Sequence, residues 1–297
     1  MRSEPRILAF IQNGCYKLKC NMVQIAVLMA CHNRRQKTLL CLEKLFSQKG
    51  LTHDYNICVY LLDDGSTDGT TEAVRKSFPK VDIIAGNGSL YWNRGMHAAW
   101  KQAEKSAYDY FLWLNDDTYL FEETLQELLK SATLKHNQAI ICGNTCSSTD
   151  FNRITYGGLG LKEGLLKPNG KIQKCDYFQG NCVLIPRDVY RKLGTLDPFF
   201  HHAIGDLDYG LRAKSQEINS YIAPKVAGTC ETHETLPKWC LNTIPFVERL
   251  KNLYSPLGNS HPYYYLTFVY RHYGFVTAIK HLLSIHLRVS IPSLWKK

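Results

Sequence analysis

The feature that most constrains the fold is a regular alternation of strand-like and helix-like segments over residues 23 to 146. Five apolar runs have strand length: QIAVLMAC (24–31), YNICVYLLD (55–63), VDIIAG (81–86), YDYFLWL (108–114) and QAIICGNT (138–145). The segments between them place apolar residues at helical spacing, as the leucines at positions 39, 42 and 45 do. Strands that alternate with helices predict an α/β fold with a right-handed, mostly parallel sheet.

Polar clusters follow three of these strands. They are CHNR (31–34) after the first strand, DDGSTDG (63–69) after the second and NDDT (115–118) after the fourth. Ligands of parallel α/β sheets bind at the carboxyl ends of the strands, and all three clusters fall there. The sequence therefore predicts one ligand site at this edge of the sheet.

The NDDT cluster sets two adjacent carboxylates, Asp116 and Asp117, at the end of a buried strand. Their charges repel at neutral pH, so the pair calls for an explanation. The pair could hold a divalent cation through hard oxygen ligands, or split its pKa values for acid–base work. A simpler reading also stays open, in which Asp116 caps the following turn and Asp117 is solvated.

The second half of the chain is less regular. It predicts a strand over 181–185, a helix from about Pro186, a helix over GDLDYGLRAK, and a strand over NSYIAPKVAGTC. Arg212 follows Asp208 by four residues, which predicts an ion pair on one helix face. We expect a core domain over 22–235, with a basic, aromatic, helical appendage over 236–297. A chain that started at Met22 would begin directly with the first strand, as an α/β domain often does. Residues 1–21 are therefore interpreted as a leader or a misassigned start.

The net charge of +10 favours anionic partners such as nucleotides, nucleic acid or membrane headgroups. Aromatic residues beside lysine and arginine in HPYYYLTFVYRHYGF (261–275) suit a membrane interface, although a helix packed against the core would also explain them. Eleven scattered cysteines without a CxxC pair indicate a reduced, cytoplasmic chain. No apolar run approaches the roughly 20 residues that a membrane span needs.

Six segments follow one another along the chain in this order: VLMACHNR, LLDDGSTDGT, WNRGMHAAWKQA, WLNDDT, FQGNCVLIPRDVYRKLGTLDPFF and GDLDYGLRAK. Over residues 22–235 the chain resembles the family 2 glycosyltransferases, most of all the rhamnosyltransferase-like bacterial enzymes that build surface polysaccharides. The resemblance implies the GT-A fold, a mostly parallel sheet flanked by helices. It also implies inverting transfer of a sugar from a nucleotide-diphospho-sugar to a growing surface glycan or a lipid-linked glycan. Such an enzyme is expected in the cytoplasm or on the inner face of the cell membrane.

The resemblance further implies which residues bind the donor. His32 and Asn33 line the nucleoside pocket, and His32 stands where the family often has an aromatic residue that stacks on the base. Asp64 accepts a hydrogen bond from the base, and Asp63 supports the loop. Arg94 lies where the family contacts the nucleotide, although many relatives have no arginine there.

The remaining implied roles concern the metal and the base. Asp116 touches the ribose or the cation, and Asp117 ligates a Mg²⁺ or Mn²⁺ ion directly. His233 stands where some relatives have a further cation ligand. Asp206 matches the family's general base, while Gly205 replaces the glutamate that usually precedes it. At a helix start the dipole favours ionised Asp206, so desolvation or a neighbouring acid must restore its basicity.

Two other functions compete with this interpretation. A nucleotidyltransferase that makes the sugar nucleotide would carry a glycine-rich loop after the first strand, where this chain has CHNRRQKT. A basic nucleic-acid-binding protein would interleave basic and aromatic residues on one face, as the 261–275 segment partly does. We expect no nucleic-acid partner.

Overall fold

A computed structural model describes residues 22–51, 55–232, 236–258 and 260–295. The strands are β1 (Val23–Cys31), β2 (Tyr55–Asp63), β3 (Asp82–Ala85), β4 (Tyr110–Leu114), β5 (Tyr119–Leu120), β6 (Ile140–Cys142), β7 (Thr145–Cys146), β8 (Ile154–Tyr156), β9 (Gly158–Gly160), β10 (Gly164–Leu165), β11 (Gln173–Cys175), β12 (Tyr177–Phe178), β13 (Cys182–Pro186), β14 (Ser220–Ile222) and β15 (Gly228–Thr229). The helices are α1 (Arg35–Phe46), α2 (Thr70–Ser77), α3 (Tyr91–Ala103), α4 (Thr124–Leu134), α5 (Arg187–Leu193), α6 (Gly205–Ser215), α7 (Phe246–Leu253), α8 (Pro262–Tyr273) and α9 (Phe275–Ser290). Two short 3₁₀ turns cover Lys238–Cys240 and Pro292–Leu294.

The central sheet has the strand order β11-β14-β6-β13-β4-β1-β2-β3. The strands β4, β1, β2 and β3 pair in parallel, as do β6 and β14. Strand β13 runs antiparallel between β4 and β6. Two small sheets, β10-β9-β12 and β5-β15-β7-β8, flank it. The predicted α/β fold with a mostly parallel sheet is confirmed.

Both faces of the central sheet are buried, which explains the continuous apolar runs. On β1, Ile25 and Val27 pack on one face with residues of α1 and α4. Ala26 and Leu28 pack on the other face with residues of α3, α5 and α6. Each fully buried large apolar side chain contributes roughly 1.5–3 kcal/mol, so the layers on both faces hold the strand ends in place.

Two predicted strands are each broken into two shorter ones that belong to different sheets. QAIICGNT gives β6 in the central sheet and β7 in a small sheet, with a break at Gly143 and Asn144. NSYIAPKVAGTC likewise gives β14 and β15. Pro224 lies in the second break, and proline cannot donate a hydrogen bond to a sheet ladder. Together these breaks carry the chain from the central sheet to the ligand edge.

The C-terminal helices pack directly on the core. Phe268 and Val269 of α8 bury against Phe200 and Ile204, the residues that lead into α6. Arg249 of α7 donates to the carbonyl of Val289 at the end of α9, where the helix dipole favours a cation. None of the helices in the described part of the chain has the length and hydropathy needed to cross a membrane. The predicted leader, residues 1–21, lies outside the described residues.

The nine cysteines of the described residues are all free thiols. Eight of them are buried and one, Cys58, is half-buried. These side chains act as small apolar groups in the packing, as the scattered pattern indicates.

Candidate active site

The loops after β1 and β2 are joined at the ligand edge by Asn33. Asn33 has a left-handed backbone, with φ of 51°, a conformation that asparagine tolerates better than most residues. Its amide N–H donates to the Ser66 hydroxyl, and its side-chain oxygen accepts from the Thr67 amide at 2.7 Å. The neighbouring His32 is exposed, and its Nδ1 donates to the Asp64 carbonyl at 2.7 Å. The imidazole is thus fixed in orientation with an open face, and base stacking by His32 stays a prediction.

Asp63 and Asp64 are both buried and both bind loop groups. Asp63 accepts from the Ser66 amide at 2.9 Å and from the Thr71 hydroxyl, which supports its predicted role in the loop. Asp64 accepts three amide N–H groups, from Gly88 at 2.8 Å, Leu90 at 2.9 Å and Tyr91 at 2.8 Å. A carboxylate has about four acceptor positions, so one remains, and a hydrogen bond from a nucleobase to Asp64 stays a prediction.

The acid pair Asp116 and Asp117 follows β4, and a single nitrogen of Arg34 bridges it. The Arg34 Nη1 donates to Asp116 Oδ1 at 3.0 Å and to Asp117 Oδ2 at 2.9 Å. The Nζ atom of Lys37 lies 4.0 Å from Asp117 Oδ2, and the Cys230 thiol donates to Asp117 Oδ1 at 3.7 Å. The repulsion between the two acids is therefore offset by the chain's own cations.

The two acids differ in how deeply their side chains are buried. The Asp116 side chain is 5% exposed and the Asp117 side chain 17% exposed. Burial, reinforced by the Asp117 charge and opposed by Arg34 and Thr38, raises the pKa of Asp116 to about 6. The same two acids raise the pKa of Arg34 above its usual value despite the burial that opposes its charge. Asp117 is the acid that is more open to a ligand.

Asp206 lies in the first turn of α6, at the same edge. Its Oδ2 accepts from the Gly180 amide and its Oδ1 from the Leu207 amide, both at 2.9 Å. Gly180 immediately precedes Asn181, whose carbonyl accepts from the Asn115 amide at 3.0 Å. A short series of backbone contacts thus links Asp206 to the start of the acid pair.

The indole of Trp92 lies between Asn115 of the NDDT loop and Gly180. Its Nε1 donates to Asn115 Oδ1 at 2.7 Å. A Cβ placed on Gly180 would lie 2.6 Å from the Trp92 ring and 3.3 Å from the Asp206 Cβ. Gly180 therefore has to be glycine for the ring to fit, and the ring reaches from the NDDT loop to the neighbourhood of Asp206. Contacts through Asn115, Trp92 and Gly180 thus connect the acids of the two halves of the chain.

Burial restores the basicity that Asp206 loses to its hydrogen bonds. Burial raises the pKa of Asp206 above its usual value, and the amides of Gly180 and Leu207 only partly oppose this. Ile204, two residues earlier, has φ of 80°, a costly conformation for a β-branched residue. Its side chain is buried beneath α8, and this packing holds the strained turn that presents Asp206.

The structure explains why Gly205 replaces the glutamate of the resemblance. A Cβ on Gly205 would lie 1.7 Å from Asn93 Oδ1, so no side chain fits. The Asn93 amide group donates to the carbonyls of Asp197 and Phe200, which ties α3 to the loop before α6. Asn93 thus occupies the space in which a glutamate would lie.

Two predicted site residues are not seen in their predicted roles: Arg94 contacts the loop before α6, and His233 lies outside the described residues. The Arg94 guanidinium donates to the carbonyl of Pro198 at 2.8 Å and lies at 3.4 Å from that of Phe199, so it holds the loop before α6. A contact between Arg94 and a nucleotide stays a prediction and requires these bonds to be given up. His233 lies outside the described residues, and its role as a metal ligand stays a prediction.

Sequence reasoning missed Arg34 and Trp92. Arg34 belongs to the CHNR cluster of the predicted ligand edge, but its partners lie 82 and 83 residues further along the chain. Trp92 is the second residue of α3 and looks like an ordinary apolar residue of an amphipathic helix. Only the strand order that brings β13 beside β4 reveals its place between the acids.

The carboxylate oxygens of the acid pair are suitable ligands for a divalent cation. Mg²⁺ is commonly bound through one or two carboxylates together with substrate phosphates, and Asp117 offers a partly open carboxylate. Within the described ranges no three histidine, cysteine, aspartate or glutamate side chains are grouped to hold a metal ion by themselves. Oxygen atoms of a substrate would have to complete the coordination shell.

Comparison with known proteins gives two kinds of match. The family model described as Glycosyl transferase family 2 matches residues 26–194. Among solved structures, S. aureus TarS matches with a TM-score of 0.52 and 14% identity, over 85% of this chain and 44% of TarS. A structure of S. aureus TarS 1–349 in complex with UDP matches equally well, over 85% of this chain and 72% of that one. This chain thus spans less than half of the first TarS chain, and at such identity the likeness shows the fold alone. No curated protein sequence matches.

Proposed function

Because this chain belongs to glycosyl transferase family 2, we propose that it moves a sugar from a nucleotide-diphospho-sugar to an acceptor hydroxyl with inversion at the anomeric carbon. The family match confirms the resemblance to the family 2 glycosyltransferases, and together with the TarS likeness it confirms the GT-A fold. The observation that supports the proposed mechanism most is the joining of Asp206 and the acid pair at one edge through Asn115, Trp92 and Gly180.

On the donor side, the loops after β1 and β2 bind the nucleoside. His32 stacks on the base, and Asp64 accepts a hydrogen bond at its remaining acceptor position. Asp116 contacts the ribose or the cation, and Asp117 together with the substrate phosphates would hold Mg²⁺ or Mn²⁺. When bound, this cation offsets the charge that develops on the departing diphosphate.

On the acceptor side, Asp206 takes the proton of the attacking hydroxyl. The oxygen then bonds to the anomeric carbon, and the bond from that carbon to the diphosphate oxygen breaks on the opposite face. Attack and departure on opposite faces invert the configuration. No covalent enzyme intermediate forms, because Asp206 acts on the acceptor and not on the sugar.

A donor screen tests this function. The enzyme is incubated with Mg²⁺ or Mn²⁺ and a panel of UDP-, dTDP- and GDP-sugars, and free nucleoside diphosphate is measured. We expect release from one donor, and loss of release in Asp117→Ala. Production of pyrophosphate from a sugar phosphate and a nucleoside triphosphate would instead identify a nucleotidyltransferase. Release from no donor, in the presence of a lipid extract as acceptor source, would contradict the proposal.

We further propose that α9 places the enzyme on an anionic membrane surface, where a lipid-linked or growing surface glycan is the acceptor. Val276, Leu283 and Leu287 lie on one face of α9 and are 66%, 65% and 53% exposed. Lys280 is exposed on the same face. Residues 249–297 contain no aspartate or glutamate. An apolar face with basic neighbours suits a helix that lies in the interface of an anionic bilayer.

We expect the enzyme to float with phosphatidylglycerol vesicles, and a triple variant Val276→Ser, Leu283→Ser, Leu287→Ser to remain at the bottom of the gradient. Substitutions are preferable to truncation, because truncation would uncover the buried contacts of α8. Leu161→Ser is the matched control, since Leu161 is 61% exposed in the core domain. Equal flotation of the triple variant and the control would rule out this face as the membrane contact.

A further inference from the structure

The cation that bridges the acid pair is a side chain of the chain itself. Arg34 lies between β1 and α1, and its Nη1 is within 3.0 Å of both Asp116 and Asp117. This is the place between two carboxylates that a divalent cation would take. The Arg34 guanidinium and such a cation therefore compete for the same carboxylate oxygens.

The backbone of Arg34 is held by hydrogen bonds, whereas its side chain is accessible to solvent. The Arg34 carbonyl accepts from the Thr38 amide and hydroxyl in the first turn of α1, at 2.9 and 3.0 Å, so its backbone is fixed. Its side chain is 38% exposed, which is more than Asp116 at 5% or Asp117 at 17%. The guanidinium can therefore leave the acids through solvent without any change in the fold.

A released guanidinium needs a new anionic partner, and the donor supplies one. Arginine binds phosphate oxygens through several N–H groups at once. A diphosphate held against Asp117 would lie within the reach of the Arg34 side chain, because that side chain already touches Asp117. Lys37, 53% exposed and 4.0 Å from Asp117, adds a second cation on the same side.

We propose that Arg34 is an exchangeable counter-ion: it neutralises Asp116 and Asp117 in the free enzyme, yields them to a divalent cation, and then binds the donor diphosphate. This inference rests on the proposed function. It explains why two adjacent acids are tolerated at the end of a buried strand before any substrate binds. It also makes cation binding and diphosphate binding mutually dependent, since each favours the same movement of Arg34.

The test measures Mn²⁺ binding by the loss of the free-ion electron paramagnetic resonance signal, with and without inorganic pyrophosphate. Pyrophosphate is used because it contains the diphosphate shared by every donor in the screen. Without pyrophosphate, we expect Arg34→Gln to bind Mn²⁺ at least about tenfold more tightly than the unmutated enzyme, because a charge-assisted competitor has gone. With pyrophosphate, this advantage should vanish or reverse, because the variant lacks the diphosphate ligand.

Three further variants keep the test decisive. Arg35→Gln removes the same charge one residue away without removing the bridge, and we expect only a small change in Mn²⁺ affinity. Arg34→Lys gives an intermediate affinity and serves if Arg34→Gln does not fold. Asp117→Asn abolishes the gain in the Arg34→Gln background, which assigns the gain to this site.

No gain in donor-free Mn²⁺ affinity for Arg34→Gln, or an equal gain for Arg35→Gln, would overturn the exchange. The result is independent of the donor screen. An enzyme that turns over a donor but shows no gain contradicts only this inference, whereas a gain without turnover of any donor contradicts only the proposed function.

Discussion

Asp206→Asn is expected to lower kcat by about 10²- to 10⁴-fold, the usual contribution of a general base. The asparagine cannot accept the proton of the acceptor hydroxyl, although it fills the same space. Binding of the nucleoside diphosphate should be unchanged, because Asp206 contacts the amides of Gly180 and Leu207 and not the acid pair. The measurement is sugar transfer under saturating donor, with binding of the diphosphate followed separately by calorimetry.

Asp188→Asn is the control for this variant. Asp188 is an exposed acid on α5 whose ion pair with Arg191 lies on the surface, so the variant should retain full activity. Transfer by Asp206→Asn at the unmutated rate would remove Asp206 from the role of base. A parallel loss of the folded state would be seen as a lower thermal midpoint and would make Asp206→Glu the variant to compare.

The pH dependence of kcat/KM gives a second measure of the same residue. The base must be ionised, so activity falls as the pH drops through the pKa of Asp206. Burial raises that pKa above the usual aspartate value of 3.8. We therefore expect the acidic limb of the profile at a pH above 3.8, and its disappearance from the residual activity of Asp206→Asn. An acidic limb that the variant retains unchanged would belong to another group.

Asp208→Asn is expected to lower the free energy of unfolding by about 3 kcal/mol, near the lower end of the range for breaking a buried ion pair. The Asp208 side chain has no exposed surface and accepts from Arg212, Arg271 and His272 at 2.7–2.9 Å. The lower end applies because the Arg271 side chain is one-third exposed and can be partly solvated. Urea unfolding at neutral pH measures the loss.

The same carboxylate predicts a change in acid stability. Burial opposes ionisation of Asp208, but the hydrogen bond from His272 and the charges of Arg212 and Arg271 outweigh it and lower the pKa of Asp208. Its contribution is therefore present above the unfolded pKa of about 3.9 and is lost as the pH falls through the lower folded value. The difference in stability between the enzyme and Asp208→Asn should shrink below about pH 4.

Two further variants give reference values for the loss of stability. Asp188→Asn breaks only a surface pair and should change stability by less than about 0.5 kcal/mol. Arg271→Met should cost less than Asp208→Asn, because Asp208 retains Arg212 and His272. If Asp208→Asn were as stable as Asp188→Asn, the network would not be what joins α8 to the helix that carries Asp206.

The first half of the fold could be predicted because its signals are local. Each strand of the β4-β1-β2-β3 group is a self-contained apolar run, and the polar clusters mark the strand ends directly. The i+4 spacing of Asp208 and Arg212 likewise predicted an ion pair, which is confirmed at 2.9 Å. Such features depend on residues close in sequence, so composition and periodicity suffice to find them.

The remaining features depend on pairings across long stretches of chain. The antiparallel insertion of β13 between β4 and β6 follows no local pattern, yet it brings Gly180 and Asp206 beside the NDDT loop. Arg271 reaches Asp208 across 63 residues and joins the C-terminal helices to the core. The aromatic and basic composition left both a membrane interface and packing against the core open, and it named no partner for either. Sequence spacing alone contains no information about these partners.

The central proposal is that the acid pair and Asp206 serve one donor and one acceptor at the same edge of the sheet. Its most direct test is a crystal structure of the enzyme with Mn²⁺ and the nucleoside diphosphate released in the donor screen, with the manganese located by anomalous scattering. We expect the manganese within bonding distance of an Asp117 carboxylate oxygen, with the diphosphate lying on the side that faces Asp206. Manganese bound away from Asp117, or a diphosphate separated from Asp206 by packed protein, would contradict the claim.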